Sequence, residues 1–151
     1  MVITLYTEDI VLDIRSISHH EVAEIPDVEA RYRAEAGSDK LPLIYKGITR
    51  GVADIKASCA RFLRPEYAKE GDNTRDIPET YVFDFSVSER RAIGKAAPLA
   101  NAMSRYIAHR ALSSFYSDVS QGELSSRHED LATRAGEDII NLIYSKVPPR
   151  V

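Results

Sequence analysis

Residues 41–63 read LPLIYKGITRGVADIKASCARFL, and the apolar members Ile44, Ile48, Val52, Ile55, Cys59 and Phe62 recur at steps of four, four, three, four and three. Those steps lay the side chains along one stripe of a 3.6-residue helix, so 41–63 is predicted as a helix buried on one side. Gly47 and Gly51 stand four apart on the adjoining face. A glycine inside a helix costs roughly 1 kcal/mol against alanine, so the pair predicts a close neighbouring helix.

Working outward, the C-terminal half offers two helical partners. Leu99, Met103, Ile107, Ala111, Leu112, Phe115 and Val119 line a helix over 98–118, with Pro98 giving a kink or a new first turn near 97. A last helix over 124–145 carries Leu124, His128, Leu131, Ala135, Ile139, Leu142 and Ile143. Ser120 with Glu123, or Ser126 with Glu129, has the capping-box spacing to start it, and Pro148 and Pro149 stop it. The expected core includes Ile48, Ile55, Met103, Ile107, Phe115, Leu131 and Leu142.

The first half is more broken. Ile3 and Leu5 alternate with Thr4 and Tyr6, giving a short strand or extended arm over 1–6. Thr7 is placed to cap a helix carrying Ile10, Ile14 and Ile17, with Glu8 and Asp9 opposing its dipole. Asp27 opens a short surface helix that Gly37 is expected to close. Tyr81, Phe83, Phe85 and Val87 alternate with Val82, Asp84 and Ser86 and predict a strand over 81–87. Between core helix and strand, residues 64–80 hold Gly71, Asp72, Asn73 and Pro78 with little to bury, a long loop of functional or mobile character. The fold class is therefore mainly α: a small helical bundle with a strand or hairpin element and a long central loop. It is a single domain over 1–151, with an arm at 1–6 and a tail at 147–151.

The whole chain is 151 residues, 44% hydrophobic and 28% charged, with a formal charge of −3. That near-neutral balance argues against a general nucleic-acid binder and against a disordered, charge-rich chain. A single cysteine, Cys59, permits no internal disulfide; on the apolar stripe it is expected to be a small buried hydrophobe. No apolar run reaches membrane-spanning length, and the acids in MVITLYTEDIVLD do not suit a signal peptide.

Chemistry-bearing patterns are sparse. Gly94-Lys95 fails as a phosphate loop, because Glu89 and Ala96 stand where glycine and a hydroxyl residue are needed. His19, His20 and Glu21 are the densest potential ligands, but neighbours on a helix point about 100° apart, so a polar helix end is the favoured reading. His109 and His128 would meet if the two long helices pack antiparallel. A site with Glu129 or Asp130 is then conceivable, but the favoured reading is two amphipathic side chains at the core margin. The basic pairs Arg90-Arg91 and Arg105/Arg110 are read first as solvated helix faces. No cofactor, metal or catalytic residue is expected.

The run YVFDFSVSERRAIGKAAPLANAMSRYIAHRALSSFYSDVSQGELSSRHEDLATRAGEDIINLIYSKVPPRV, residues 81–151, resembles small helical virion-assembly proteins of tailed phages and prophages, in particular the head-tail connector or neck adaptor type. The resemblance rests on the apolar helix at 41–63, the long loop, the helix with Tyr106, Ile107, Leu112 and Phe115, and the last helix ending in Ile143-Tyr144 before an extended tail. It implies a non-enzymatic subunit that assembles in a ring between portal and tail. Its partners would be copies of itself and other virion proteins, without sequence-specific nucleic acid or membrane. Its location would be the bacterial cytoplasm during assembly and then the virion, not outside a secreting cell. An isolated monomer is compatible with that role. Subunit or partner contact is expected at Tyr67, Arg75, Tyr81, Phe83, Arg90 and Arg91, with the tail as a second reach. The competing expectations are a helical interaction or accessory domain of a bacterial protein and, behind it, an enzyme with a dispersed site.

Overall fold

The computed structural model describes residues 1–64 and 77–145. Most of the expected loop and the tail, with Tyr67 and Arg75, lie outside the described residues. The architecture is mainly helical with one two-stranded sheet, as the sequence predicts. Strand β1 (Val2–Tyr6) runs into helix α1 (Thr7–Val22); then follow α2 (Val28–Ala34), α3 (Leu41–Ser58), β2 (Thr80–Asp84), the single turn α4 (Glu89–Ala92), α5 (Ala96–Asp118) and α6 (Gly122–Tyr144). Helix α5 is central: α3, α6, α1 and β1 all pack against it.

The α3 stripe is buried as expected, with Ile44, Ile48, Val52 and Cys59 fully enclosed. Both glycines face α5. A Cβ on Gly47 would stand 2.7 Å from the Ala111 Cα, and one on Gly51 3.2 Å from the Ile107 Cα. The helix proper stops at Ser58, and a 3₁₀ turn over Ala60–Phe62 replaces the last expected turn.

Several boundaries differ from the sequence expectation for identifiable reasons. Thr7 is the first residue of α1, not its cap; its hydroxyl donates instead to the Pro78 carbonyl at 2.6 Å, tying the helix start to the approach to β2. Gly37 does not close α2. Glu35 is already extended, and the Lys40 ammonium reaches back to the carbonyls of Tyr32, Arg33 and Glu35 at 2.6, 2.9 and 2.7 Å, a cation at the negative end of the helix.

Pro98 falls in the first turn of α5, where no amide is needed, so it starts a helix and makes no kink. Neither capping-box serine opens α6. Ser120 takes a left-handed φ of 61° in the tight turn between the long helices, and α6 begins at Gly122. Its buried face is His128, Ala132, Ala135, Ile139 and Ile143. Leu131 and Leu142, expected in the core, are half-buried flanks, because the small Ala132 and Ala135 turn inward and let α6 lie close to α5.

The sheet is antiparallel, pairing Val2 with Asp84, Thr4 with Val82 and Tyr6 with Thr80. The strand expected over 81–87 ends at Asp84; Phe85 then bridges to Leu63, and the Ser86 amide donates to the Phe62 carbonyl at 2.6 Å. Ile3, Leu5, Tyr81, Phe83 and Phe85 turn inward onto the helices.

Candidate functional site

Two features stand apart from ordinary packing: a buried polar chain between α1, α5 and α6, and the outer edge of β1.

The polar chain arises because α5 and α6 run antiparallel through the tight turn at Ser120, which brings His109 beside His128. Their Nδ1 atoms are 3.0 Å apart and their rings stack at 5.2 Å between centroids. The carboxylate that joins them is Glu21, from the last turn of α1; neither Glu129 nor Asp130 joins them. His128 Nε2 is 2.6 Å from Glu21 Oε1, to which the Tyr116 hydroxyl also donates at 3.2 Å. Arg127 stands 3.9 Å from Glu21 Oε2. His128 is 1% exposed, so it is a fully enclosed member of the core, deeper than the margin position expected.

The protons follow from the partners. An ionised Glu21 only accepts, so His128 Nε2–H donates to it; a neutral His128 then accepts at Nδ1, and His109 Nδ1–H is the donor there. Burial first, and then the proximity of His128, hold the His109 pKa below the usual histidine value, against an opposite pull from Glu21 and with a still smaller lowering from Arg105. Burial chiefly, with the Glu21 charge, pushes the Tyr116 phenol upward. Glu21, His128 and His109 thus form an ordered chain of hydrogen bonds. The chain ties three helices together, α1 through Glu21, α6 through His128 and α5 through His109.

The other residues singled out in the sequence disperse. His19 is exposed and paired with Glu35 at 2.8 Å, so the His19-His20-Glu21 group divides between two environments. Glu129 lines a polar groove of about 260 Å³ with Arg50 and Arg110. Arg110 is tied to Asp54 at 3.0 Å and Arg105 to Asp138 at 3.6 Å. Among the described residues no group of three or more His, Cys, Asp or Glu side chains could hold a metal ion. Cys59 is enclosed, and burial pushes its thiol up to about 11.

Of the expected contact residues, Arg90 and Arg91 are exposed on α4. Tyr81 and Phe83 are not available to a partner: they are 8% and 0% exposed, because the chain's own helices cover the aromatic face. What the sheet leaves open is its edge. Phe85 N donates to Met1 O at 2.7 Å and Thr7 N to Glu79 O at 3.0 Å. The alternation of an antiparallel ladder therefore directs the amides and carbonyls of Ile3 and Leu5 toward β2, and those of Val2, Thr4 and Tyr6 away from it. The Tyr6 carbonyl, at the cap of α1, accepts the first amide of that helix, so among the described residues the row is left open at Val2 and Thr4. Val2 and Tyr6 are 59% and 56% exposed, and Thr4 is exposed between them. The sequence signal was the alternation of residues 2–6; the pairing geometry needed the partner strand to be in place.

No helix among the described residues is long and apolar enough to cross a membrane. Compared with protein-family models, with curated proteins and with solved structures, the chain finds no match in any of the three.

Proposed function

We propose that the chain is a non-enzymatic structural subunit of a phage or prophage particle, of the head-tail connector type that its sequence resembles, and that it joins neighbours through the outer edge of β1. The observation that supports this reading is the open edge itself. VITLY carries no charge, proline or bulge, the usual devices that keep a sheet edge from pairing. An edge left in that condition is suited to receive an extended segment of another protein, where backbone hydrogen bonds supply affinity and alternate side chains supply selectivity. Arg90 and Arg91 would add a polar rim, and the portal or tail side of a particle would supply the partner.

The test is particle composition. Particles purified from a producing strain should contain the chain in stoichiometric amount, and Thr4→Lys, which sets a charge on the open edge, should remove it and leave heads and tails unjoined by electron microscopy. Complete particles that lack the chain would sink this reading in favour of an accessory interaction domain.

A further inference from the structure

We propose that the corner where the end of α3, the α4 turn and the end of α6 meet is a docking surface for an acidic protein segment carrying an apolar side chain. This surface is separate from the outer edge of β1. It lies beyond the Met1 end of that strand and does not depend on the edge being used.

Three stretches of chain are stitched together there. Leu63 bridges to Phe85, and the Ser86 amide donates to the Phe62 carbonyl at 2.6 Å, which sets residues 61–64 beside the approach to α4. The Phe62 and Tyr144 rings meet edge to face at 5.1 Å, and the Lys95 ammonium donates to the Ser145 carbonyl, which brings in the end of α6. Arg61, Arg64, Arg90, Arg91 and Lys95 are gathered by these contacts.

Their charges are poorly matched on the spot. Arg64 and the Met1 ammonium share Asp84, at 3.0 and 3.9 Å, and Lys95 serves a neutral carbonyl. Arg61, Arg90 and Arg91 are exposed, and among the described residues no carboxylate pairs with them; against them is Glu89, exposed in the first turn of α4. The corner is therefore positive in a chain whose formal charge is −3.

Arg61 is the anchor. Its guanidinium carbon is 5.1 Å from the centroid of Phe62 and 5.3 Å from that of Tyr144. Two rings set at 88° hold the planar group from two sides, so less side-chain freedom is lost when its N–H fork closes on a carboxylate.

Two observations choose the partner's class. Apolar surface lies among the cations, with Ile93 54% and Tyr144 42% exposed. A phosphate backbone would leave both uncovered, whereas an acidic segment with one apolar residue covers charge and apolar surface together, an apolar contact inside a polar rim. The negative charge of the whole chain also gives no long-range attraction to a polyanion, so short-range pairing with a few carboxylates is favoured over nucleic acid.

The experiment is fluorescence anisotropy on the full chain, with circular dichroism as the check on folding. The labelled probes are a short peptide of glutamates around a central leucine, the same peptide with glutamine for glutamate, and an oligothymidylate of matched length. The glutamate peptide should bind at least about tenfold more tightly than either of the others. Arg90→Glu with Arg91→Glu should weaken it at least about tenfold, and Arg61→Lys, which keeps the charge but loses the fork, about threefold. Arg33→Glu, on exposed α2, should leave it unchanged. A glutamine peptide that binds as well, a glutamate peptide indifferent to the arginine variants, or no binding at millimolar peptide overturns the proposal. Tighter binding of oligothymidylate, lost in the same variants, also overturns it and makes the corner a nucleic-acid contact. If the peptide fails while Thr4→Lys still expels the chain from particles, the edge reading holds without this corner. If the peptide binds as expected while complete particles lack the chain, the corner holds without that reading.

Discussion

The two sides of α5 are held by different physics. Toward α3 the contact is made by absence: Gly47 and Gly51 present no side chain, and the α3 backbone comes against Ala111 and Ile107. Toward α1 and α6 it is made by polar completion, with Glu21, His128, His109 and Tyr116 satisfying one another in a mostly enclosed space. The first seam resists any added atom; the second resists any removed partner. No buried side-chain nitrogen or oxygen among the described residues is left unpaired, so the polar seam is closed and its members depend on one another.

The largest expected effect comes from adding one methyl group to the glycine seam. Gly47→Ala puts a Cβ 2.7 Å from the Ala111 Cα and 3.0 Å from its Cβ, where backbone cannot turn aside as a side-chain end can. We expect a loss of about 3 kcal/mol, the upper part of the range for overpacking a core. Gly51→Ala, at 3.2 Å from the Ile107 Cα, should cost visibly less. Thermal or urea unfolding measures both, and a Gly47→Ala protein as stable as wild type would mean that the helices do not meet there.

Removing a partner from the polar seam comes next. Glu21→Ala leaves the enclosed His128 Nε2–H and the Tyr116 hydroxyl without their acceptor, so a loss of about 2 kcal/mol is expected. Glu21→Gln keeps an acceptor oxygen and should lose less. In a double-mutant cycle with His128→Ala, the coupling should be well above the error of additive sites. Additive losses would show that the two side chains do not act as one unit.

The same seam should make stability depend on pH, whereas the glycine seam should not. His109 has its pKa depressed by burial, so the unfolded chain binds its proton more readily than the folded one. The stabilising difference is fully present above the unfolded value of about 6.5 and is lost as pH falls from there through the folded value, below which it stays constant. Melting temperature between pH 7.5 and 5.5 should therefore fall in the wild type, and His109→Gln should flatten that part of the profile. An unchanged slope in the variant would remove His109 as its source.

How much of this was readable beforehand depends on the range of the interaction. The α3 stripe and its glycine pair were legible because a helix writes its buried face into local spacing. The meeting of His109 and His128 was legible too, since two long helices joined by a short turn run antiparallel. Glu21 was not: it lies 107 positions from His128, and as a member of His19-His20-Glu21 it looked like an ordinary polar helix end. The same limit explains Thr7, whose hydroxyl is used 71 positions away at Pro78, and Gly37, whose capping role is taken by the Lys40 ammonium. For Tyr81 and Phe83 alternation identified the aromatic face but could not say what would cover it.

The smallest effect is also the sharpest check on the comparison, because it uses the same substitution as the largest and should change sign. Gly136 lies within α6, and a Cβ there would meet Tyr106 Cε2 at 3.4 Å and Cδ2 at 3.5 Å, ordinary contact with the face of a side chain. At most the ring shifts slightly. Alanine would then bring its higher helix propensity and restrict the unfolded chain, a gain of about 0.5 kcal/mol after any adjustment of the ring. Tyr106 is free to adjust only slightly, since its hydroxyl is bonded to Asp54 at 3.3 Å, so the gain should be reduced below the full propensity difference. If Gly136→Ala raises the unfolding midpoint while Gly47→Ala lowers it, close backbone approach is confined to the α3 side of α5. Should both lower it by similar amounts, α6 also packs backbone to backbone, and the division of α5 into a seam of absence and a seam of polar completion fails.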